Sequence, residues 1–492
     1  MRVVVLIALG LLASLVTTAT APSALASEPH ALNGIRVLGN RLVTGDGQPV
    51  RLIGVNRSGA EYACIRGWGM FDGPADVASI QVIRSWHANA VRVGLNEDCW
   101  LGINGVPDAY GGVNYQRAVI DFVTRLTANG MYAIVDLHWS APGRAPATSL
   151  REMPDEDHSV DFWRSVATSF ADDPNVVFDI FNEPFGVDWD CWRDGCTYPG
   201  GRDTGPWQAV GMQALVDTIR ATGASQPILL GGLAFANDMS AWRSHTPDDP
   251  LGQLVASFHV YPFNACNQST CWDDDIAPIA ESVPVVISEV GIDWTPPYSD
   301  RMAEELMQWA DDHQLGYLAW TWNTWGSGDA LLTNYLGEST TWGTDFKAHV
   351  AQIAIPRLRL LRDADAAYAA HDLQAAVQLY EQTAVSPPSD DETEAISAAI
   401  DGVAHWREVI GMAATGDEAG ARGQLALLAE RHSGAPLARL ASQFWDQYTM
   451  TGSPRAACAQ LTPQVETQAS GVLNTLASVG VPIRHDELCA VP

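Results

Sequence analysis

The chain has 492 residues, of which 47% are hydrophobic, and a formal net charge of −30 from 28 Lys+Arg against 58 Asp+Glu. That length suits one large domain plus a smaller one, with enough apolar content for a sizeable core. The acidic balance argues against nucleic acid and anionic membrane surfaces as partners, since both are bound through clustered cations, and it fits a neutral substrate.

Residues 1–26 read as a secretory signal peptide. Arg2 supplies the positive start, Val3 to Val16 the apolar stretch, and Ala24-Leu25-Ala26 the small-residue cleavage site. The apolar stretch is too short to span a bilayer, and no other segment is long and apolar enough. The mature chain is therefore expected to start near Ser27 and to be secreted, with no membrane association after cleavage.

A small β-ribbon is predicted next, Ile35 to Leu38 and Arg41 to Thr44 around the tight-turn pair Gly39-Asn40. From there strands and helices alternate. Strands are predicted at 50–56, 90–93, 132–137, 176–181, 227–231, 254–259, 283–288 and 316–321. Helices are predicted at 75–87, 115–129, 155–171, 206–223, 273–281 and 300–313, the fourth opening at Pro206 and closing at Gly223. Eight strands spaced this way predict an α/β fold, a closed (β/α)8 TIM barrel over residues 27–350. Residues 356–492 carry no convincing strand and are Ala-rich at helical spacing, which predicts an all-α domain. Parts of it, such as 366–376 and 412–428, have a helix–turn–helix look that weakly resembles tetratricopeptide repeats, a possible surface for a protein partner. A plain helical bundle fits as well.

The even count of eight Cys suits an oxidising compartment. Proximity pairs Cys191 with Cys196 and Cys266 with Cys271. Cys64 and Cys99 follow successive strands, and Cys458 and Cys489 remain in the tail. The two short loops have no His close by, so no metal site is expected.

The strand ends carry the chemistry. Arg92, His138, Asn182-Glu183, His259, Tyr261, Glu289 and Trp322 each sit where a strand gives way to a loop, the end at which such barrels build active sites. Taken singly, either histidine reads as a core residue and Arg92 as a structural ion pair, and Asp136 is expected in the barrel wall. Together they put two carboxyls and their neighbours on one mouth. A carboxyl pair is what glycosidic bond hydrolysis requires, one protonated and one ionised.

In Asn182-Glu183-Pro184, Ile287-Ser288-Glu289-Val290-Gly291 and the order Arg, His, Asn-Glu, His-x-Tyr, Glu, Trp, residues 33–345 resemble glycoside hydrolase family five, the cellulase-like retaining glycosidases. The resemblance implies Glu183 as general acid/base and Glu289 as nucleophile. Arg92 and Tyr261 would hold the nucleophile ionised, and Asn182 would bind the sugar 2-hydroxyl. His259 would tune the acid/base, and His138 would line the subsite of the cleaved sugar. Under that sugar it implies a Trp, with Trp322 preferred over Trp320. Neither metal nor organic cofactor is required. The loop residues Trp139, Trp189, Trp192 and Trp272 are further candidates for sugar stacking, and the two short Cys loops, 187–205 and 262–275, are expected to shape the cleft. The expected activity is that of an endo-β-1,4-glucanase. Exo action, another glycan (mannan, xylan, β-1,3-glucan, a furanosidic sugar) and a non-catalytic carbohydrate-binding role are the alternatives. The last of these would lack a carboxylate, and both are present.

Overall fold

The computed structural model describes residues 32–200, 205–293, 301–370, 372–386, 394–431, 436–461 and 463–478. The expected signal peptide and Cys489 lie outside these residues.

Strands β1 (Ile35–Leu38) and β2 (Arg41–Thr44) form the antiparallel ribbon. The barrel strands are β3 (Ile53–Arg57), β4 (Ala90–Asn96), β5 (Tyr132–Trp139), β6 (Val176–Asp179), β9 (Ile228–Gly231), β10 (Leu254–Val260), β11 (Val285–Val290) and β12 (Gly316–Ala319). All eight pair in parallel, and β12 closes the barrel on β3 through Tyr317 opposite Ile53. Between β6 and β9 lies a hairpin, β7 (Cys196–Tyr198) with β8 (Trp207–Ala209).

Helices return the chain outside the barrel, among them Val77–Arg84, Val113–Ala128, Ser159–Phe170, Arg301–Asp312 and Thr341–Ala354. Their starts are set by side chains that accept otherwise unpaired N–H groups. Asp76 accepts from Ser79, and Thr340 from Gly343. Two predicted helices differ. The one expected from Pro206 begins only at Met212, because Trp207–Ala209 pairs with β7 instead. Gly211 makes that pairing possible, since a Cβ there would lie 2.4 Å from the Gly195 nitrogen. The helix expected over 273–281 is a wide π turn, Trp272–Ile276, followed by Ala277–Ala280.

The β-pleat divides the core. Ile134, Val177, Leu229, Val255, Val286 and Leu318 form one apolar cluster inside the barrel, closed below by Ile35 and Leu42 of the ribbon. The residues between them, such as Ala133, Val176, Ile228 and Ile287, belong to the outer cluster that packs on the helices. One pleat above the apolar plug, the inward positions are Arg92, Asp136, Asp179, Ser257 and Ser288, all buried. An apolar floor thus carries a polar layer at the C-terminal ends of the strands.

Cys64–Cys99, Cys191–Cys196 and Cys266–Cys271 are disulfides, and Cys458 is disulfide-bonded as well. The first ties the loop after β3 to the loop after β4 across 35 residues of chain, a closure that stabilises by about 4 kcal/mol on loop-entropy grounds. Beyond the barrel, helices Pro356–Ala369, Leu373–Val385, Glu394–Thr415, Glu418–Arg431, Pro436–Thr451, Pro454–Ala459 and Pro463–Ser478 build a separate core around Leu358, Trp406 and Phe444. Among the described residues no helix is long and apolar enough to cross a membrane.

Candidate active site

Arg92 organises the polar layer. Its guanidinium is 1% exposed. Nε donates to Asp179 Oδ2 at 2.9 Å, Nη1 to Glu289 Oε1 at 2.7 Å and Asn56 Oδ1 at 3.1 Å, and Nη2 to Asn182 Oδ1 at 2.8 Å. Asp136 Oδ1 is 3.1 Å from Nη2. A planar fork of fixed donors can serve this many acceptors at once, where an ammonium could not. Asp136 therefore faces the barrel interior, and not the wall as expected from the sequence. Burial pushes both Asp136 and Asp179 up to about 7, against the pull of Arg92. The two are register partners on β5 and β6, and each keeps one buried oxygen with no hydrogen bond.

The two glutamates stand side by side in contrasting surroundings. Tyr261 donates its hydroxyl to Glu289 Oε2 at 2.6 Å, opposite the 2.7 Å contact from Arg92. The Glu183 side chain is 12% exposed against 4% for Glu289, and its Oε1 lies 3.0 Å from His259 Nδ1. One oxygen from each carboxyl and a ring nitrogen of His259 lie within 4.8 Å of one another. Retaining glycosidases hold their carboxyls about 5–5.5 Å apart, while inverting ones leave room for a water at about 6.5–9.5 Å. Burial raises both carboxyls. The negative Glu289 beside it drives Glu183 well above the ordinary carboxylate range, whereas Arg92, His138 and the Tyr261 hydroxyl pull Glu289 back down. The proton of the pair thus sits on Glu183. His259 is fully buried, which holds its pKa well below the usual value and keeps it neutral. Its Nε2 is 2.9 Å from Ser288 Oγ, so it orients Glu183 without placing a cation beside it.

These environments fix the sign of the pH dependence. If Glu289 acts ionised and Glu183 protonated, activity is lost as pH falls through the pKa of the first and as pH rises through that of the second. The profile of kcat/KM is expected to be a bell whose alkaline limb lies well above the ordinary carboxylate range. Replacing Tyr261 by Phe removes a bond to ionised Glu289 and is expected to move the acid limb to higher pH. A limb that stays in place would separate Tyr261 from the titrating group.

His138 Nδ1 is 2.6 Å from Asp136 Oδ2, and its ring stacks on Trp320 at 5.6 Å and 8°. Burial lowers its pKa against the pull of Glu61 and Glu289. Trp320, not Trp322, faces the cleft. Strand β12 ends at Ala319, so strand alternation does not carry on to 322. Trp322 turns outward, 1% exposed, against Trp86 at 4.7 Å.

The cleft encloses about 830 Å³ above these residues. Trp139 lines it as expected, but Trp189, Trp192 and Trp272 do not. Trp192 is fully buried with its Nε1 on the Gly231 carbonyl at 3.0 Å, and Trp189 packs on Trp192. Trp272 is 1% exposed, with its Nε1 on the Cys266 carbonyl at 3.3 Å. In both disulfide loops the indoles turn inward and anchor the loop to the barrel. The aromatic wall comes mainly from elsewhere. Tyr62 donates its hydroxyl to Asp72, accepts from Trp325 Nε1 at 2.9 Å, and meets Trp68 and Trp139 ring to ring. Trp68 and Trp325 are 63% and 43% exposed. Arg66 lies over Tyr62, Trp68 and Trp139, and Glu61 is buried beside them with Gly59 N–H on its Oε2 at 2.7 Å. Sequence reading missed Glu61, Tyr62 and Arg66, because they follow β3 on irregular backbone with no motif. Asp179 did carry a signal, a carboxylate inside the apolar run 176–181.

A parallel barrel with a close carboxyl pair at its C-terminal mouth, one raised well above the ordinary carboxylate range and the other drawn back toward it by Arg92, defines a retaining glycoside hydrolase. Residues 43–326, more than half the chain, match cellulase, glycosyl hydrolase family 5, and the chain belongs to that family. It is 25% identical over 341 residues to an endoglucanase of Microbulbifer sp. (strain ALW1), covering 64% of this chain and 59% of that one. It is 23% identical over 318 residues to a mannan endo-1,4-β-mannosidase of Salipaludibacillus agaradhaerens, covering 63% of this chain and 86% of that one. The chain thus spans less than two thirds of the endoglucanase and most of the mannanase. A crystal structure of a β-glucanase from Saccharophagus degradans with cellotetraose shares the fold, with a TM-score of 0.52 at 18% identity, over 66% of this chain and 95% of that one.

Proposed function

We propose that the protein is a secreted, endo-acting β-glycosidase of β-1,4-linked glucan, with Glu183 as general acid/base and Glu289 as nucleophile. The observation that carries this reading is the carboxyl pair, within 4.8 Å and both raised by burial, with Glu183 raised further than Glu289. In the first step Glu289 attacks the anomeric carbon as Glu183 passes its proton to the departing glycosidic oxygen. In the second, Glu183 takes a proton from water, whose oxygen displaces Glu289 with net retention. Arg92 accounts for the role of Asn182. By holding the Asn182 carbonyl it turns the amide nitrogen toward the sugar 2-hydroxyl, an interaction that strengthens in the transition state. His138 and Trp320 form the wall of the cleaved sugar's subsite. Three disulfides fit export through an oxidising compartment. The resemblance to an endoglucanase and a mannanase makes glucan and mannan the two polymers to compare, with product lengths separating endo from exo action. The helical region is read as a module of successively packed helices available to a protein partner.

The roles are tested with Glu183→Ala. Hydrolysis of a poorly activated alkyl or oligosaccharide glycoside should fall by about 10²–10⁴-fold. A dinitrophenyl glycoside, which needs no proton to leave, should keep its glycosylation step and then stall as the intermediate. Added azide should restore turnover and give a β-glycosyl azide. Equal losses on all leaving groups, with no azide product, would count against Glu183 as the proton donor.

A further inference from the structure

The turn after β9 holds a backbone that L-residues avoid. Ala234, Phe235 and Ala236 have φ of 50°, 64° and 56°, the left-handed region in which Cβ crowds the following carbonyl. No glycine relieves it. Such a conformation persists only where surrounding contacts impose it, and these outliers concentrate at ligand sites. The contacts are present here. Leu233 N–H donates to Asp238 O at 3.0 Å and Asp238 N–H to Leu233 O at 2.8 Å. Asn237 donates to His259 O at 2.8 Å and accepts from Cys266 N at 2.8 Å, which locks the turn to β10 and the second disulfide loop.

The turn delivers one side chain. Phe235 is 42% exposed, lines the cleft and stacks on Phe185 at 4.4 Å and 17°. Its N–H donates to the Pro184 carbonyl at 3.0 Å, one residue from Glu183. Phe263, 55% exposed, stands on the same side and stacks on Tyr261. This wall offers few polar atoms. Asn237 spends both ends of its amide inside the protein, and Asn264 spends its oxygen on Tyr261 N–H. The opposite wall, with Glu61, Arg66 and Asp72 among its indoles, is rich in hydrogen-bonding groups.

We propose that Phe235, with Phe263 beside it, is the platform for the leaving group, and that this side of the cleft selects an aglycone by its flat apolar face and not by its hydroxyl pattern. Aryl and other apolar aglycones are taken there, and a sugar binds through its C–H face alone. The inference rests on Glu183 as proton donor, since the departing oxygen must lie at that carboxyl.

The test compares wild type, Phe235→Ala and Phe235→Tyr on three substrates with one glycone: the glycosyl fluoride, the 4-methylumbelliferyl glycoside and the oligosaccharide. Phe235→Ala should lower kcat/KM for the umbelliferyl glycoside about tenfold and for the oligosaccharide by less. The fluoride, whose leaving atom is too small to reach the ring, should stay within about twofold, and Phe235→Tyr should stay near wild type on all three. An equal loss on the fluoride would make the effect structural and overturn the proposal. So would an undiminished rate on the umbelliferyl glycoside. A loss on the oligosaccharide as large as on the umbelliferyl glycoside would overturn the apolar preference. Wild type inert on all three would overturn the glycosidase reading, and this inference with it.

Discussion

Glu289→Gln is expected to reduce kcat/KM on β-glycosides by about 10⁵-fold or more while the protein still folds, the scale on which loss of a covalent nucleophile registers. The amide is isosteric and keeps an oxygen for Arg92 or Tyr261, so the polar layer is not emptied. What disappears is the charge that, in the proposed role, attacks the anomeric carbon. A second readout separates this from a general loss of structure. The negative Glu289 is among the chief causes of the raised Glu183 pKa, so in the variant Glu183 should titrate at lower pH. Infrared or NMR titration of the carboxyl would show it. Retained activity, or a Glu183 titration that does not move, would remove Glu289 from the proposed role.

Arg92→Met should destabilise the barrel by about 3–5 kcal/mol, the usual cost of removing one partner from a buried charge cluster. It leaves Asp136, Asp179 and Glu289 without their cation. Arg92 lowers the pKa of each of the three, so without it all three rise further. A group whose pKa is higher in the folded than in the unfolded state contributes stability that is lost as pH rises through the folded value. The variant should therefore lose more stability relative to wild type at pH 8 than at pH 5, read by denaturant unfolding at both. It should also be inactive near neutrality, since Glu289 would then keep its proton. A pH-independent deficit would mean that the guanidinium acts by packing alone.

The barrel was legible because strands buried on both faces read as short continuous apolar runs separated by helical spacing. The carboxyls were legible because each ends such a run, Glu183 at Asn-Glu-Pro and Glu289 at Ile-Ser-Glu-Val-Gly. Alternation stopped being a guide where a strand stopped. Trp322 was preferred over Trp320 on the family's motif, but the strand ends at Ala319 and the chain beyond it turns Trp322 outward onto Trp86. Trp189, Trp192 and Trp272 were unreadable for another reason. An indole under a sugar and an indole pinning a loop have the same composition and differ only in which way the backbone turns. β8 was lost in a predicted helix because three residues carry no period. Tyr62 and Phe235 lie on turns with no motif, and the left-handed backbone that presents Phe235 leaves no trace in Ala-Phe-Ala.

The junction of the barrel with the helical region has a mechanical consequence. Helix Thr341–Ala354 is followed by Ile355 and then by Pro356, the first residue of the next helix. Ala351 and Ile355 already belong to the second apolar core, while Val350 belongs to the first. A flexible tether of n residues lets an appended module sweep a radius of about 5–6 Å times the square root of n. Here the junction is a single buried residue, Ile355, packed in the second core, so there is no flexible tether for that relation to describe. The helical region is thus joined to the barrel through packed residues, as a bracket is bolted to a frame, and not hung on a leash.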